Sequence, residues 1–161
     1  MSSCVVETPV GPVVLVASRA GLREVLWAAR CACSPDVGDE SGTAAILAGA
    51  AAQLDEYFAG RRRAFDLPLD LEGTPFQLEA WRALADIPYG ETVSYGEQAR
   101  RLARPHAARA VGSANGRNPL SIVLPCHRVV GADGSLTGYG GGLEAKRWLL
   151  EHERAVIRAD C

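Results

Sequence analysis

Hydrophobic and polar positions along this chain change their period several times, and each change predicts an element. Apolar runs at Val5-Val6, 13–16 and 25–27 are separated by Thr8-Pro9-Val10-Gly11-Pro12 and Ala20-Gly21, which predicts three short strands joined by turns. Residues 28–42 turn small and polar around Pro35 and Gly38, a loop. Between Thr43 and Phe58 the period becomes helical. Ile46, Ala50, Leu54 and Phe58 share one face, and Gly60 stands where a C-cap is needed. Phe65, Leu67, Leu69 and Leu71 then alternate as a half-buried strand, which Pro68 confines to a sheet edge.

A boundary follows near Leu71-Glu72-Gly73, dividing the chain into domains 1–73 and 74–161. Thr74, Pro75 and Gln77 spell a helix start with a capping box, and Phe76, Ala80 and Leu84 continue its apolar face. Ile87-Pro88-Tyr89-Gly90 is a turn. Ser94 and Glu97 form a second capping box, opening a helix to Leu102 that Arg104-Pro105 stops. A further helix runs from His106 to about Ala114 and ends at Asn115-Gly116. Two short helices joined by a tight turn predict a helix-turn-helix, a pattern other helical hairpins share. The apolar run from Ser121 to Leu124 reads as a short buried strand. Asp133-Gly134 predicts a hairpin turn, and the last helix covers 143–152 and ends at Glu153, with a frayed tail from Arg154.

Composition narrows the class. A chain of 161 residues with 48% hydrophobic and 22% charged positions is ordinary for a globular protein of one or two small domains. No apolar run approaches the roughly 20 residues of a membrane span, and no secretory signal opens the chain. Five cysteines without framework spacing argue for a reducing, cytoplasmic setting. Cys4, Cys31 and Cys33 make a poor zinc set, because Cys-x-Cys is too tight and residues 1–73 contain no histidine. No metal is expected.

Net charge of −2 hides an asymmetry. Residues 1–73 hold six arginines against ten acids, whereas 74–161 hold eleven basic residues against nine. Between Thr92 and Asn118, Arg100, Arg101, Arg104, Arg109 and Arg117 face only Glu97. That is the footprint of a phosphate-binding face, or of a solvated arginine-rich surface.

The chemistry concentrates in Leu124-Pro125-Cys126-His127-Arg128-Val129-Val130, where a thiol stands beside an imidazole and a guanidinium. The thiolate is the nucleophile, and histidine and cationic neighbours depress a thiol pKa. Pro125 lacks a backbone donor, so the strand ends or bends there and holds Cys126 on a fixed turn. Most free cysteines are small buried hydrophobes, so the dipeptide alone leaves a nucleophile and an inert core residue both open. Adjacent side chains of an extended segment point to opposite faces, so His127 reaches Cys126 only through a backbone turn or a water. A carboxylate should orient the histidine, and nine acids lie in this half. The four glycines around the tyrosine in Gly138-Tyr139-Gly140-Gly141-Gly142 suggest a backbone that closely approaches a ligand. No lysine-serine/threonine signature follows, which argues against a nucleoside-triphosphate loop.

Pro125-Cys126-His127-Arg128-Val129-Val130 resembles the active-site signature of the O6-alkylguanine-DNA alkyltransferases, or methylated-DNA–protein-cysteine methyltransferases. The resemblance runs from about Thr74 to Glu153. It takes in Ile87-Pro88-Tyr89-Gly90-Glu91-Thr92-Val93-Ser94-Tyr95, Ala107-Ala108-Arg109-Ala110-Val111-Gly112, Asn118-Pro119 and Thr137-Gly138-Tyr139-Gly140-Gly141-Gly142, in order. It implies an α/β (α+β) fold. A small RNase H-like α/β domain with a short antiparallel sheet precedes a mostly helical domain with a winged-helix-like helix-turn-helix.

The resemblance also implies roles. Cys126 would accept the alkyl group, and His127 would draw off its proton through a water, oriented by Glu153. Tyr95 would hydrogen-bond guanine N3 and crowd the phosphate. Asn118 would be the hinge between recognition helix and active site, and Arg128 a structural tie. Pro125, Val129, Tyr139 and Gly140 would line the pocket with Tyr95. Arg109 would enter the duplex in place of an extruded nucleotide, as chemistry on a stacked base requires. Ala108, Ala110 and Gly112 would let the helix approach the minor groove, and Thr92 and Ser94 would also contact DNA. Many members carry serine where this chain has Gly140, which leaves tolerance of bulky alkyl groups open.

The expected function is irreversible, single-use transfer of an alkyl group from O6-alkylguanine, with O4-alkylthymine open, to Cys126. The partner is double-stranded DNA and no cofactor is implied. A cytoplasmic monomer is expected, with cooperativity on DNA open. A lesion sensor without transfer and a helix-turn-helix regulator are the alternatives, but a regulator leaves the cysteine-histidine pair without a purpose. A cysteine hydrolase would be indifferent to Arg109 and Tyr95.

Overall fold

The computed structural model describes residues 2–27, 42–136, 138–139 and 142–160. The expected loop at 28–42 therefore lies, except for Gly42, outside the described residues. The chain divides into two compact units, Met1–Leu71 and Glu72–Cys161.

In the first unit, β1 (Ser2–Val6), β2 (Val13–Ala17) and β3 (Leu22–Trp27) form an antiparallel sheet in the order β1-β2-β3. The central strand β2 is apolar throughout and almost wholly buried. Helix α1 (Thr43–Phe58) packs on the sheet through Thr43, Leu47, Ala50, Leu54 and Tyr57. Ala50 and Leu54 belong to the expected face, but Ile46 and Phe58 are only half-buried. A helix repeats every 3.6 residues, so a strict four-residue row drifts off the face while Leu47 and Tyr57 drift onto it. Gly60, at φ 78°, closes the helix. Arg61 N donates to Glu56 O and Gly60 N to Tyr57 O, the Schellman pattern.

The strand expected over 65–71 is absent. A single parallel bridge joins Leu22 to Leu69, made by Leu22 N to Pro68 O at 2.8 Å and Asp70 N to Leu22 O at 2.9 Å. Pro68 has no N–H to extend the ladder. The Asp70 side chain is turned to Ser18 and Arg23 instead.

The second unit begins with α2 (Pro75–Leu84), which carries the expected capping box in both directions: Gln77 N to Thr74 Oγ1 and Thr74 N to Gln77 Oε1. Helices α3 (Tyr95–Arg101) and α4 (Ala108–Gly116) follow. The second capping box is only half made. Ser94 accepts from Glu97 N, but the Glu97 carboxylate turns outward to Arg100 and Arg101. Arg104-Pro105 does not end α3 either. Ala103 does, at φ 58°, with Arg104 N donating to Ala99 O and Ala103 N to Arg100 O. Helix α4 starts two residues later than His106 and includes Gly116.

Ala80, Ala99, Leu102, Val111 and Ala114 form the small core of this three-helix unit. A buried polar seam runs through it. Asn115 Nδ2 donates to Gln98 Oε1 at 2.9 Å, Gln98 Nε2 faces Asn115 Oδ1 at 3.4 Å and Ala80 O at 3.3 Å, and Trp81 Nε1 donates to Ala114 O at 2.7 Å. These bonds fix α4 against α2 and α3.

Two further differences from expectation shape the site. Residues 121–124 form a turn, not a strand: Leu124 N donates to Leu120 O, Val123 N to Ser121 O, and Ile122 has φ 73°. All four are buried, so the apolar run marked burial correctly, but burial alone does not distinguish turn from strand. The strand comes later. Val129–Val130 (β5) pairs in parallel with Val93–Ser94 (β4). Gly134, at φ 82°, and a Gly131 N to Ser135 O bond make a turn after β5, with no returning strand among the described residues. Helix α5 runs from Leu143 to Ala159, well past Glu153. Ile157 continues its inward stripe, packing over Gly90, so the expected frayed tail is helical.

Gln98→Leu should destabilise the second unit by about 1–3 kcal/mol, because it strands the buried Asn115 amide. Urea unfolding followed by tryptophan fluorescence measures this, and Gln98→Leu/Asn115→Leu should recover part of the loss.

Candidate active site

Cys126 is held from both sides in sequence. Upstream, the Asn118 side chain brackets the buried turn: Oδ1 accepts from Leu120 N at 3.0 Å and Nδ2 donates to Leu124 O at 2.8 Å. Pro125 then leads into a single 3-10 turn, Cys126–Arg128, with Cys126 N bonded to Leu124 O and Arg128 N to Pro125 O. Downstream, β5 locks the segment to β4. The backbone therefore turns at the Cys-His pair, as a cooperation between the two side chains demands. All ten residues from 121 to 130 are buried.

Behind Cys126 lies a fully buried carboxylate. Glu153, on the inward face of α5, accepts from Arg128 Nε at 2.9 Å and Nη2 at 3.2 Å, and from Gly90 N at 3.0 Å, and pairs with His127 Nε2 at 2.6 Å. Arg128 Nη1 donates to Ile87 O at 2.7 Å, and its guanidinium lies over the Tyr89 ring. Burial pushes the Glu153 carboxyl up, but the hydrogen bonds and charges of His127 and Arg128 overcome that and hold it well below the usual carboxylate range. An ionised carboxylate only accepts, so His127 Nε2 carries a hydrogen and donates it. Burial pushes the imidazole below its usual value, against the pull of Glu153, so the ring is neutral at physiological pH. Nδ1 then holds the lone pair, and it makes no hydrogen bond to the protein. That nitrogen is a proton acceptor.

The Cys126 thiol is itself raised by burial, opposed by hydrogen bonding from Asn118 and by the charge of Lys146. Lys146 is a residue that the sequence reading passed over. It sits in the first turns of α5, fully buried, with Nζ 5.9 Å from the centre of the Tyr95 ring. Burial lowers its own pKa, and the thiolate pulls it back up. A signal existed: Lys146, Leu149, Leu150 and Glu153 form one helical stripe, so a lysine and a glutamate share the apolar face.

The structure thus brings together Cys126, His127, Glu153, Asn118 and Tyr95, through the chain of contacts above. Val129 and Pro125 are buried in the same segment, and Tyr139 is buried where Gly142 N bonds back to its carbonyl ahead of α5. Gly140, like Cys31 and Cys33, lies outside the described residues. Arg109, Ala110 and Ser113 are exposed on α4, while Ala108 and Gly112 are half-buried. Gly112 faces the Tyr95 ring, where an added Cβ would lie 3.7 Å from ring atoms, an ordinary contact, so packing against Tyr95 does not by itself demand a glycine. Thr92 is exposed, and Ser94 is the N-cap of α3. The basic segment is partly neutralised: Arg100 and Arg101 pair with Glu97, and Arg104 with Glu79. No ion pair engages Arg109 or Arg117 among the described residues.

Comparison with known proteins matches this geometry to a family. The model for "6-O-methylguanine DNA methyltransferase, DNA binding domain" matches residues 75–155, and that for "6-O-methylguanine DNA methyltransferase, ribonuclease-like domain" matches residues 3–71. A methylated-DNA–protein-cysteine methyltransferase of Mycobacterium bovis is 47% identical over 96% of this chain and 93% of its own. One from Methanosarcina barkeri is 44% identical over 96% and 98%. The crystal structure of Mycobacterium tuberculosis OGT in complex with DNA superposes with a TM-score of 0.85 at 46% identity, covering 97% of this chain and 94% of that one. The chain belongs to the O6-alkylguanine-DNA alkyltransferase family.

Proposed function

We propose that this chain removes the alkyl group of O6-alkylguanine from DNA by transferring it irreversibly to Cys126, once per molecule. The methylated-DNA–protein-cysteine methyltransferase activity and DNA as its target go with the family. The observation that carries the finer reading is the buried Cys126 beside a neutral histidine whose free nitrogen is set by Glu153. In the transfer the Cys126 Sγ–carbon bond forms as the carbon–O6 bond breaks. The thiol proton passes to His127 Nδ1, directly or through a water, and the imidazolium is stabilised by the Glu153 carboxylate. The electron pair stays on guanine, which is reprotonated with Tyr95 hydrogen-bonded at N3. Lys146 adds a fixed positive charge that favours the thiolate as it develops.

Raising a thiol by burial while placing a base beside it keeps the resting sulfur protonated and inert. The thiolate then develops chiefly as its proton passes to His127 while the bound alkyl carbon is attacked. A thioether is not reversed by thiol exchange, which makes the reaction single-use. Delivery of the base to a buried sulfur requires the nucleotide to leave the stack. Support for extrusion through the minor groove comes from α4, whose outer face offers small residues and the unpaired guanidinium of Arg109. O4-alkylthymine is a second substrate compatible with the same displacement.

The test is intact-protein mass after incubation with a duplex carrying one O6-methylguanine. One methyl group per molecule, mapped to the Cys126 peptide, is expected; unchanged mass with tight lesion binding would leave a sensor instead. Cys126→Ala should keep binding and lose transfer.

Arg109→Ala should slow transfer from duplex by about tenfold or more and from an unpaired strand far less, since only the duplex needs a base extruded at a cost of a few kcal/mol. Equal slowing on both substrates would remove Arg109 from that role.

The transfer rate should fall as pH drops through a midpoint below the ordinary histidine value of 6.5, where His127 becomes protonated and ceases to be a base. Glu153→Gln should slow transfer at neutral pH by about a hundredfold, the low end of a general-base contribution. Single-turnover kinetics across pH measures both.

A further inference from the structure

We propose that Gly90 and Ile157 form a clamp that positions the Glu153 carboxylate, so that the last turns of α5 set the rate of alkyl transfer. The proposal rests on the Glu153–His127–Cys126 relay read above. Its geometry is local. The turn at 87–90 is closed by Glu91 N to Pro88 O at 3.1 Å, and it grips both members of the buried ion pair. At one end Ile87 O accepts from Arg128 Nη1, and at the other Gly90 N donates to Glu153 Oε1 at 3.0 Å.

Ile157 lies one helical turn beyond Glu153, on the same face of α5. A Cβ on Gly90 would stand 2.0 Å from Ile157 Cδ1 and 3.3 Å from Cγ1, so the isoleucine occupies the space that any side chain at 90 would need. Gly90 also has φ 79°, which an L side chain adopts only with strain. The glycine therefore lets the turn seat against the helix at the height where its N–H meets the carboxylate. The Gly90 N–H adds a third direction of hold to the two-point grip of Arg128, whose Nε meets Oε1 and whose Nη2 meets Oε2, the oxygen paired with His127 Nε2. Gly90 and Ile157 touch neither sulfur nor base, and act by positioning Glu153. Ile157 lies past residue 155, where the match to the DNA-binding-domain model ends.

The test uses the full chain and single-turnover transfer from an O6-methylguanine duplex between about pH 5 and 9, a range spanning the ordinary histidine and cysteine values. Gly90→Ala should slow transfer about tenfold at neutral pH with duplex affinity within about twofold, the pattern of an interaction lost only in the transition state. Because the imidazolium is then less stabilised, His127 loses its proton more readily and the rise of rate with pH should move to lower pH. Adding Ile157→Ala to Gly90→Ala should restore at least about threefold of the rate, because the vacated space takes the methyl, a coupling that independent sites would not show. Ile157→Leu should keep the native profile, and Ile157→Ala alone should move it in the same direction as Gly90→Ala. That pair keeps the test open if Gly90→Ala fails to fold. A rate loss uniform in pH, or a double variant no faster than Gly90→Ala, overturns the clamp. Glu153→Gln is the reference. If it transfers at the native rate, the relay itself is wrong; if it is slow while Gly90→Ala and Ile157→Ala keep the native profile, only the clamp fails.

Discussion

A carboxylate with no solvent exposure organises the second unit. Leaving water is costly for an ion, and the cost is offset only where donors fill the lone pairs. Glu153 meets that condition with His127 and Arg128 from one turn and Gly90 from another, both far from it in sequence. A buried ion pair of this kind adds little net stability over well-packed apolar residues, yet removing one partner leaves an uncompensated charge. Its consequence is placement. These bonds join the turn at 87–90, the 3-10 turn and α5, and they fix the orientation of the His127 ring.

The same burial governs the sulfur. Cys126 has no carboxylate-like set of donors, so desolvation dominates and the thiol stays protonated. The charge that opposes this is Lys146, not the nearer-in-sequence Arg128, whose guanidinium is spent on Glu153 and Ile87. The site therefore separates two electrostatic tasks. Arg128 keeps the Glu153 carboxylate ionised, and Lys146 favours the Cys126 thiolate, the nucleophile of the proposed transfer. A lysine suits the second task because its charge is a point on a flexible stem, whereas the planar arginine fork suits bidentate contact with a carboxylate.

Much of this was legible in the sequence where the signal is local. The capping box at Thr74 and the cap at Gly60 depend on neighbours a few residues away, and pattern reading finds them. The Cys-His pair was legible as chemistry, and its place beside Tyr95, Asn118 and Glu153 only through family resemblance. What pattern could not give depends on distant partners. Residues 121–124 are apolar and buried but form a turn, because Asn118 supplies the bonds that a neighbouring strand would have supplied. Residues 65–71 alternate like a strand but find one bridge, because Pro68 interrupts the donors. Helix α5 looked finished at Glu153 because chain ends commonly fray, although five of the eight residues 154–161 are apolar. One of them, Ile157, has a glycine waiting across the unit.

The charge pattern needs the same correction. Five arginines in 92–118 suggested a strongly basic face, but three of them already have carboxylate partners. Exposed pairs of this sort contribute about 0–1 kcal/mol and exchange partners readily, so a phosphate can still recruit them. The unpaired charge is narrower: Arg109 at the start of α4 and Arg117 just past its end. Between them the helix exposes Ala110, Ser113 and Gly116, of which only the short Ser113 hydroxyl could hydrogen-bond a base edge. A helix that presents one guanidinium among small side chains is suited to close approach and insertion, not to a sequence code. That suits a protein whose target is a chemical lesion in any sequence, because discrimination can then rest with the pocket around Cys126 and not with the DNA that surrounds the lesion.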